Sequence, residues 1–198
     1  MNTYAPPYES PIEDSFAWAI AKHLNPIWDL QKQVEVPTFA GGFRLDFLAV
    51  SLSPHHKIAL ECDGKEFHDY TRDMFRDAII IGCTDIDSIY RLGGRDIWYH
   101  LDDALYTLST REPELFSDRG RCNLKQLAAR DTRIYDGTEF IIKHGTSESP
   151  PIWIRALRRH HPNPVWKRLF EYASAHRNLS LDEIIRRSDE EGLKWFTD

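Results

Sequence analysis

Hydrophobic residues in the first hundred positions recur with the spacings of helices and strands in turn. Ser10 can cap a helix, and Pro11 suits its first turn. Apolar residues then follow at helical spacing, at Ile12, Phe16 and Ile20. Pro26 cannot continue a helix. The pattern therefore predicts a first helix that begins just after Ser10 and ends before Pro26.

Three strands are predicted next, over residues 33–36, 43–51 and 57–63, with turns at 37–42 and 53–56. The side chains of a strand alternate between its two faces. On the second strand, one face is expected to carry Phe43, Leu45, Phe47 and Ala49. The opposite face is expected to carry Arg44, Asp46, Leu48 and Val50.

The following elements alternate between helix and strand. A helix is predicted over residues 71–81, and Gly82 is well placed as its C-terminal stop. A strand is predicted over residues 86–92, and another helix over residues 95–109. The order is helix, strand, strand, strand, helix, strand, helix, which predicts a mixed α/β fold.

The pattern changes after residue 110. Residues 111–130 are polar, and Asp136-Gly137 lies between the apolar segments 133–135 and 140–142, which predicts a hairpin. Two short helices are predicted over residues 164–176 and 180–191, the second with a capping box. We therefore expect three parts: an arm over residues 1–9, a core over 10–110, and a C-terminal α+β appendage over 111–198.

Composition narrows the class of protein. The chain has 198 residues, of which 41% are hydrophobic and 28% charged, as is usual for one globular domain with or without an appendage. It carries no apolar run of the ~20 residues that a membrane helix needs, and no secretory signal is recognisable. Three widely spaced cysteines fit a reducing cytoplasm. The formal net charge of −6 gives no general support to a nucleic-acid partner.

One stretch, residues 58–68, contains several side chains of the types that bind metal ions or take part in catalysis. Glu61 and Asp63 are two residues apart and are expected on the same face of the third strand. The opposite face would point into the core with Ile58, Leu60 and Cys62. Two carboxylates on one face repel each other, and a divalent cation would make use of them.

Three other positions add to this pair. Asp46 is a lone acid on a hydrophobic strand one hairpin away, from where it could reach the same metal ion. Glu13 lies in the first helix, and His68 follows the acidic strand just past a glycine. In this order the quoted residues are Ser10-Pro11-Ile12-Glu13, Arg44-Leu45-Asp46-Phe47 and Leu60-Glu61-Cys62-Asp63-Gly64-Lys65-Glu66-Phe67-His68.

The pattern resembles the PD-(D/E)xK endonuclease superfamily, in the branch similar to the very-short-patch-repair endonucleases. Two further pieces fit this resemblance, Arg72-Asp73-Met74-Phe75-Arg76-Asp77 and Ile89-Tyr90-Arg91. The resemblance spans roughly residues 10–109, about half of the chain. It implies a restriction-endonuclease-like core, which is a central mixed sheet flanked by helices. It also implies Mg²⁺- or Mn²⁺-dependent hydrolysis of phosphodiester bonds, in DNA.

The resemblance also assigns roles. Asp46 would be the main metal ligand, and Glu61 and the backbone carbonyl of Cys62 would complete the protein's share. Asp63 stands where the wider superfamily has a lysine, and it would bind metal or position the attacking water.

The remaining roles fall to three charged residues. Lys65 and His68 are the candidate cations, for stabilising the charge on phosphorus or protonating the leaving oxygen. Glu13 would be an outer-shell carboxylate.

Each of these residues also has an ordinary explanation. A capping box alone explains Glu13, and Asp46 could pair with Arg44 on the surface. Glu61 and Asp63 could lie on a solvated face. Lys65 and His68 could be plain loop residues, and zinc bound by His55, His56 and His68 is a weaker alternative. The rival function is a catalytically inactive nuclease fold that binds nucleic acid or a protein.

Nucleic-acid contacts are expected from two basic groups. Arg72 and Arg76 lie four residues apart on one helix, where surface pairing explains them as well as phosphate contact does. The second group is interleaved with Trp153 and Trp166 and contains Arg155, Arg158, Arg159 and Lys167. A charged helix face with tryptophans in the core explains the second group too. A homodimer or a partner protein that supplies specificity stays open.

Overall fold

A computed structural model describes residues 6–52, 55–64, 69–134, 152, 154–162 and 164–195. Its helices are α1 (Pro11–Ala21), α2 (Tyr70–Cys83), α3 (Gly94–Tyr99), α4 (Leu101–Arg111), α5 (Asp118–Leu127), α6 (Arg130–Ile134), α7 (Val165–Ala175) and α8 (Leu181–Glu190). Its strands are β1 (Trp28–Thr38), β2 (Gly41–Leu52), β3 (His55–Asp63), β4 (Ser88–Gly93) and β5 (Ile154–Arg158). A single 3-10 turn over Pro113–Leu115 follows α4.

The five strands form one sheet in the order β1-β2-β3-β4-β5. The first two pairs are antiparallel, β3 and β4 are parallel, and β5 returns antiparallel to β4. Parallel neighbours need a crossover connection, and α2 provides it between β3 and β4. The predicted α/β architecture with a mixed sheet flanked by helices is therefore confirmed.

Helices bury both faces of the sheet. On one face Phe16 of α1 and Leu105 of α4 share a core with Phe47 and Leu60 of the sheet. On the other face Phe75 of α2 and residues of α7 and α8 form a second core. Because both faces are covered, neighbouring strand residues are buried together, as β3 shows from 58 to 62. None of the described helices combines the length and the hydropathy needed to cross a membrane.

The C-terminal part of the chain is built into this sheet. β5 extends the sheet beyond β4, and α7 and α8 pack on α2. Residues 154–195 thus share a core with residues 10–110, although the sequence pattern changes between them. The polar segment 111–130 contains α5, which Ser117 caps. Of the predicted hairpin, residues 133–134 are helical and the rest lies outside the described residues.

The predicted faces of β2 are wrong in one respect. Phe43 and Leu45 pack with α2, whereas Phe47 and Ala49 pack on the opposite side of the sheet with α1. The strand changes faces at Asp46, where it pairs with neither neighbour: the ladder with β1 skips this position, and the ladder with β3 starts at Phe47. Strict alternation from the sequence could not anticipate this irregularity.

Two helix ends also differ from the predictions. Gly82 does not stop α2, which runs one residue further to Cys83. A Cβ at this position would lie 2.1 Å from the ring of Phe170, so the glycine permits close packing of α7. The predicted helix over 95–109 is divided into α3 and α4 at His100, whose backbone is not helical. The capping box at Ser180 is confirmed.

Candidate functional site

The acidic end of β3 has the alternation that its sequence predicts. Leu60 and Cys62 belong to the core beneath α1, whereas Glu61 faces α2. Only 4% of Glu61 is exposed, and both terminal nitrogens of Arg76 in α2 contact its carboxylate, at 3.2 and 3.3 Å. The Glu61 carboxylate is therefore buried between the sheet and α2, away from bulk water.

Asp46 lies beside this strand end. Its position in β2 is skipped by the ladder with β1 and lies just beyond the end of the ladder with β3, where its side chain bonds the backbone of β3 instead. The backbone N–H of Cys62 donates to Oδ2 of Asp46 at 2.8 Å. This bond fixes Asp46 between Glu61 and Asp63 along the chain of β3. The alternative of a surface pair with Arg44 does not describe the structure, since Arg44 pairs with Glu9.

Glu13 is buried at the start of α1, and a helix cap does not fully account for its contacts. Its carboxylate accepts hydrogen bonds from the hydroxyl of Ser10 at 2.7 Å and from the side-chain nitrogen of Gln33 at 2.8 Å. The backbone N–H of Glu13 donates to the same Ser10 hydroxyl, so the predicted N-cap is present. The contact with Gln33 ties the helix to β1 at the position facing Asp46.

These carboxyl groups lie close enough together to interact electrostatically. Burial raises the pKa of Asp46, and the charges of Glu13 and Asp63 raise it further. Burial also raises the pKa of Glu61 to about 7, with Asp46 adding to the rise and Arg76 opposing it. We call Glu13, Asp46, Glu61 and Asp63 the acid cluster. Raised pKa values in a group of like charges are typical of sites that hold a cation or a proton.

Asp63 is held by arginines. Nη1 of Arg91 in β4 lies 2.9 Å from Oδ1 of Asp63, and the same guanidinium binds Asp77 through two contacts of 2.7 Å. Burial alone would lower the pKa of Arg91, but the charges of Asp77 and Asp63 raise it above its ordinary value. Arg155 of β5 lies 3.6 Å from Asp63 and 2.6 Å from Asp73. Asp63 is therefore part of a network of alternating charges that connects four elements, β3, β4, β5 and α2.

Carboxylates outnumber guanidinium groups around the site. The acid cluster together with Asp73 and Asp77 brings six carboxylates against the guanidinium groups of Arg76, Arg91 and Arg155. Carboxylate and carbonyl oxygens are the ligands that Mg²⁺ prefers, and it commonly uses one or two carboxylates and keeps several waters. The donor set of Asp46, Glu61 and the Cys62 carbonyl fits that preference. Within the described part of the chain, no group of three or more His, Cys, Asp or Glu residues could hold a metal ion.

The thiol of Cys62 takes no part in such a site. It belongs to the core on the opposite face from Glu61, and burial raises its pKa well above the ordinary range. The main-chain atoms of Cys62 are what connect it to the acid cluster.

Gly94 contributes to the site, although the sequence analysis assigned it no role. A Cβ on Gly94 would lie 2.8 Å from the backbone oxygen of Asp63 and 3.3 Å from Ile12. α3 thus begins directly against the end of β3 because the first residue of α3 has no side chain. The Gly-Gly pair after a strand was the available signal, and its meaning required the neighbouring elements.

The other candidates from sequence analysis are distributed differently. Lys65 and His68 lie outside the described residues. Among the basic residues, Arg72 pairs with Asp182 of α8, and Arg159 donates to backbone oxygens of Ile81, Thr84 and Ile86. With Arg76 and Arg155 in the acid cluster's surroundings, the six basic residues do not form one exposed face. Arg158 and Lys167 are exposed.

The alternative zinc site involves histidines at the other end of β3. Nε2 of His55 lies 3.1 Å from Asp85, and Nε2 of His56 lies 3.8 Å from Asp87. These pairs connect the start of β3 to the segment before β4. His68, the third expected ligand, lies outside the described residues.

Comparisons of the chain with protein-family models, with curated protein sequences and with solved structures gave no match. The functional argument therefore depends on the acid cluster and on the fold that assembles it.

Proposed function

We propose that the protein is a metal-dependent nuclease that hydrolyses phosphodiester bonds in DNA. The observation that supports this most is that Asp46 of β2 accepts a hydrogen bond from the backbone N–H of Cys62, the residue that follows Glu61 in β3. A helix–three-strand–helix–strand order places these acids at one end of the sheet, which is the arrangement that the resemblance to the PD-(D/E)xK superfamily implies. The restriction-endonuclease-like identity of the core belongs to this proposal.

Each side chain of the acid cluster would have a separate part in metal binding or catalysis. Asp46 and Glu61, with the carbonyl oxygen of Cys62, would hold Mg²⁺ or Mn²⁺ between β2 and β3. Bound there, the cation would supply a Lewis acid for the phosphate and activate a water. Asp63, oriented by Arg91, would position the attacking water by accepting a hydrogen bond from it. Glu13 would complete the negative potential behind Asp46.

Arg76 has the geometry to assist the reaction. Its guanidinium lies between Glu61 and the backbone oxygen of Arg44, 2.7 Å from the latter. A planar guanidinium suits bidentate contact with phosphate oxygens. Once a metal ion neutralises Glu61, Arg76 would be available to stabilise the charge that develops on the phosphate. Lys65 and His68 remain the candidates for protonating the leaving oxygen.

A cleavage assay tests the proposal. Purified protein is incubated with plasmid DNA, single-stranded DNA and RNA, each with Mg²⁺ or Mn²⁺. We expect DNA cleavage that Asp46→Asn and Glu61→Gln each reduce by about two orders of magnitude or more, because each removes a ligand charge. Glu114→Gln, a substitution of an exposed glutamate, serves as the matched control. Absence of cleavage of all three substrates with either metal contradicts the proposal.

One observation favours the alternative of a catalytically inactive scaffold. Arg76 already neutralises Glu61 at 3.2 Å, as a cation would. In an inactive protein this ion pair would be permanent and would replace the metal. Titration calorimetry with Mn²⁺ separates the two functions: the nuclease binds Mn²⁺ and Asp46→Asn loses that binding, whereas the scaffold keeps its fold and takes up no Mn²⁺ at the acid cluster.

A further inference from the structure

The backbone of β1 is irregular at Gln33. Its φ is +53°, and it is the one non-glycine residue with a positive φ in the described part of the chain. Side chains other than those of glycine, asparagine and aspartate rarely adopt this left-handed conformation. A glutamine that holds it in the middle of a strand is kept there by its surroundings, and such positions concentrate at functional sites.

This irregularity is coupled to Asp46. The pairing of β1 with β2 runs continuously except at one level, where Gln33 would face Asp46. Both strands change faces there: Trp28 and Leu30 pack beneath α1, whereas Val34 and Val36 pack with α2. In β2 the same change separates positions 47 and 49 from positions 43 and 45.

The change of face releases Asp46 from regular pairing. In a continuous ladder, residues 33 and 46 would be partners, and so would residues 46 and 61. Instead, the side chain of Asp46 accepts from the N–H of Cys62 at 2.8 Å. The left-handed residue in β1 thus lies at the level of the sheet where an acid of β2 bonds the backbone of β3.

The side chain of Gln33 acts on a second acid. Its Nε2 donates to Oε2 of Glu13 at 2.8 Å, so it holds this carboxylate beside Asp46. Its Oε1 is buried and has no hydrogen-bond partner among the described residues. Burying an amide whose carbonyl oxygen has no hydrogen-bond partner is unfavourable, so folding alone does not explain a glutamine here.

We propose that Gln33 is a positioning residue of the acid cluster, with its backbone setting Asp46 and its amide setting Glu13. The expected effect on metal binding rests on the proposed function. The positioning of Asp46 against Cys62 by Gln33 does not depend on it. In a working nuclease, the left-handed turn would place the metal ligand, and the amide would orient the carboxylate behind it.

Two substitutions separate the backbone role from the side-chain role. Valine disfavours a positive φ, so Gln33→Val should restore regular pairing and withdraw Asp46 from Cys62. Glycine accepts a positive φ without strain, so Gln33→Gly should keep Asp46 in place and release only Glu13. The matched controls are Gln31→Val and Gln31→Gly, since Gln31 is an exposed glutamine on the same strand.

Amide hydrogen exchange at Cys62 tests, without any metal, whether the backbone of Gln33 positions Asp46. We expect Gln33→Val to exchange this amide at least tenfold faster than the wild type, because the bond to Asp46 is lost. Gln33→Gly and both Gln31 variants should exchange it at the wild-type rate. Equal protection of Cys62 in a folded Gln33→Val protein overturns the proposal. So does a Gln33→Gly protein that is folded but loses this protection.

Mn²⁺ affinity, measured by electron paramagnetic resonance, tests whether this positioning matters for metal binding. Gln33→Val should weaken binding by about 10- to 100-fold, and Gln33→Gly should retain most of the affinity, as expected when glycine rescues the backbone. Weakening by both variants alike would overturn the backbone role. If the wild type binds no Mn²⁺ while the exchange pattern is as expected, the proposed function fails and the positioning of Asp46 by Gln33 stands.

Discussion

At the scale of single residues, Glu61 is where burial and charge oppose each other most. Its carboxylate is almost inaccessible, and burial raises its pKa to about 7 although Arg76 lies beside it. The guanidinium groups of Arg76 and Arg91 do not offset the loss of water together with the neighbouring charges of Asp46 and Asp77. Near neutral pH the Glu61 side chain is therefore divided between the protonated acid and the carboxylate that pairs with Arg76.

This balance predicts how stability depends on pH. Between pH 4.5, the ordinary pKa of glutamate, and about 7, the folded state binds more protons at Glu61 than the unfolded state does. Stability is then lost as pH rises through this window. Glu61→Gln cannot ionise and should escape this loss. Relative to the wild type, its unfolding free energy should rise by roughly 3 kcal/mol between pH 4 and pH 8.

Urea unfolding of both proteins at pH 4 and pH 8, in buffer free of divalent cations, measures the difference. Glu114→Gln, on the surface, controls for the general effect of losing a carboxylate. If the stability difference between Glu61→Gln and the wild type is the same at both pH values, the assigned environment of Glu61 is wrong.

The residue types of the site were readable from the sequence, but its supporting contacts were not. Two acids at the end of an apolar run and a third acid one hairpin away were enough to select Asp46, Glu61 and Asp63. Arg91 was noted only as a fitting residue on the next strand, because its contact with Asp77 crosses two elements. Gln33 gave no signal, since a left-handed backbone in a strand depends on partners that local propensity does not describe.

At the scale of elements, close packing depends on two glycines at which any side chain would collide with a neighbouring element. Gly82 lies inside α2 and lets the ring of Phe170 in α7 approach the helix backbone. Gly94 plays the equivalent part where α3 meets the end of β3. A glycine near a helix end is read as a stop because that is its commonest role, whereas close approach is visible only with the neighbouring helix in place.

Gly82→Ala tests this packing. In a helix interior, alanine normally stabilises by about 1 kcal/mol relative to glycine. Here the new methyl group would overlap the Phe170 ring, so we expect a destabilisation of about 1–3 kcal/mol, measured by thermal or urea unfolding. In the Phe170→Ala background the same change should be neutral or stabilising. A Gly82→Ala protein that is more stable than the wild type would show that α7 does not pack as described.

At the scale of the whole molecule, the sheet joins parts of the chain whose patterns of hydrophobic and polar residues differ. Hydrophobic periodicity gave the order and type of the elements up to residue 110, except that the last predicted helix is divided into α3 and α4. It did not give the return of the C-terminal segment as β5, since a five-residue strand among basic residues has no strong pattern. Its arginine, Arg155, completes the charges around Asp63, so the C-terminal part contributes to the acid cluster as well as to the core.

We propose that one cation binds between Asp46 and Glu61. The most direct measurement is an anomalous difference map from a crystal of the protein soaked in Mn²⁺. The account predicts a single strong peak in contact with the carboxylates of Asp46 and Glu61 and the carbonyl oxygen of Cys62, with Arg76 moved away from Glu61. A map with the Arg76–Glu61 ion pair intact and no peak at the acid cluster would contradict the account.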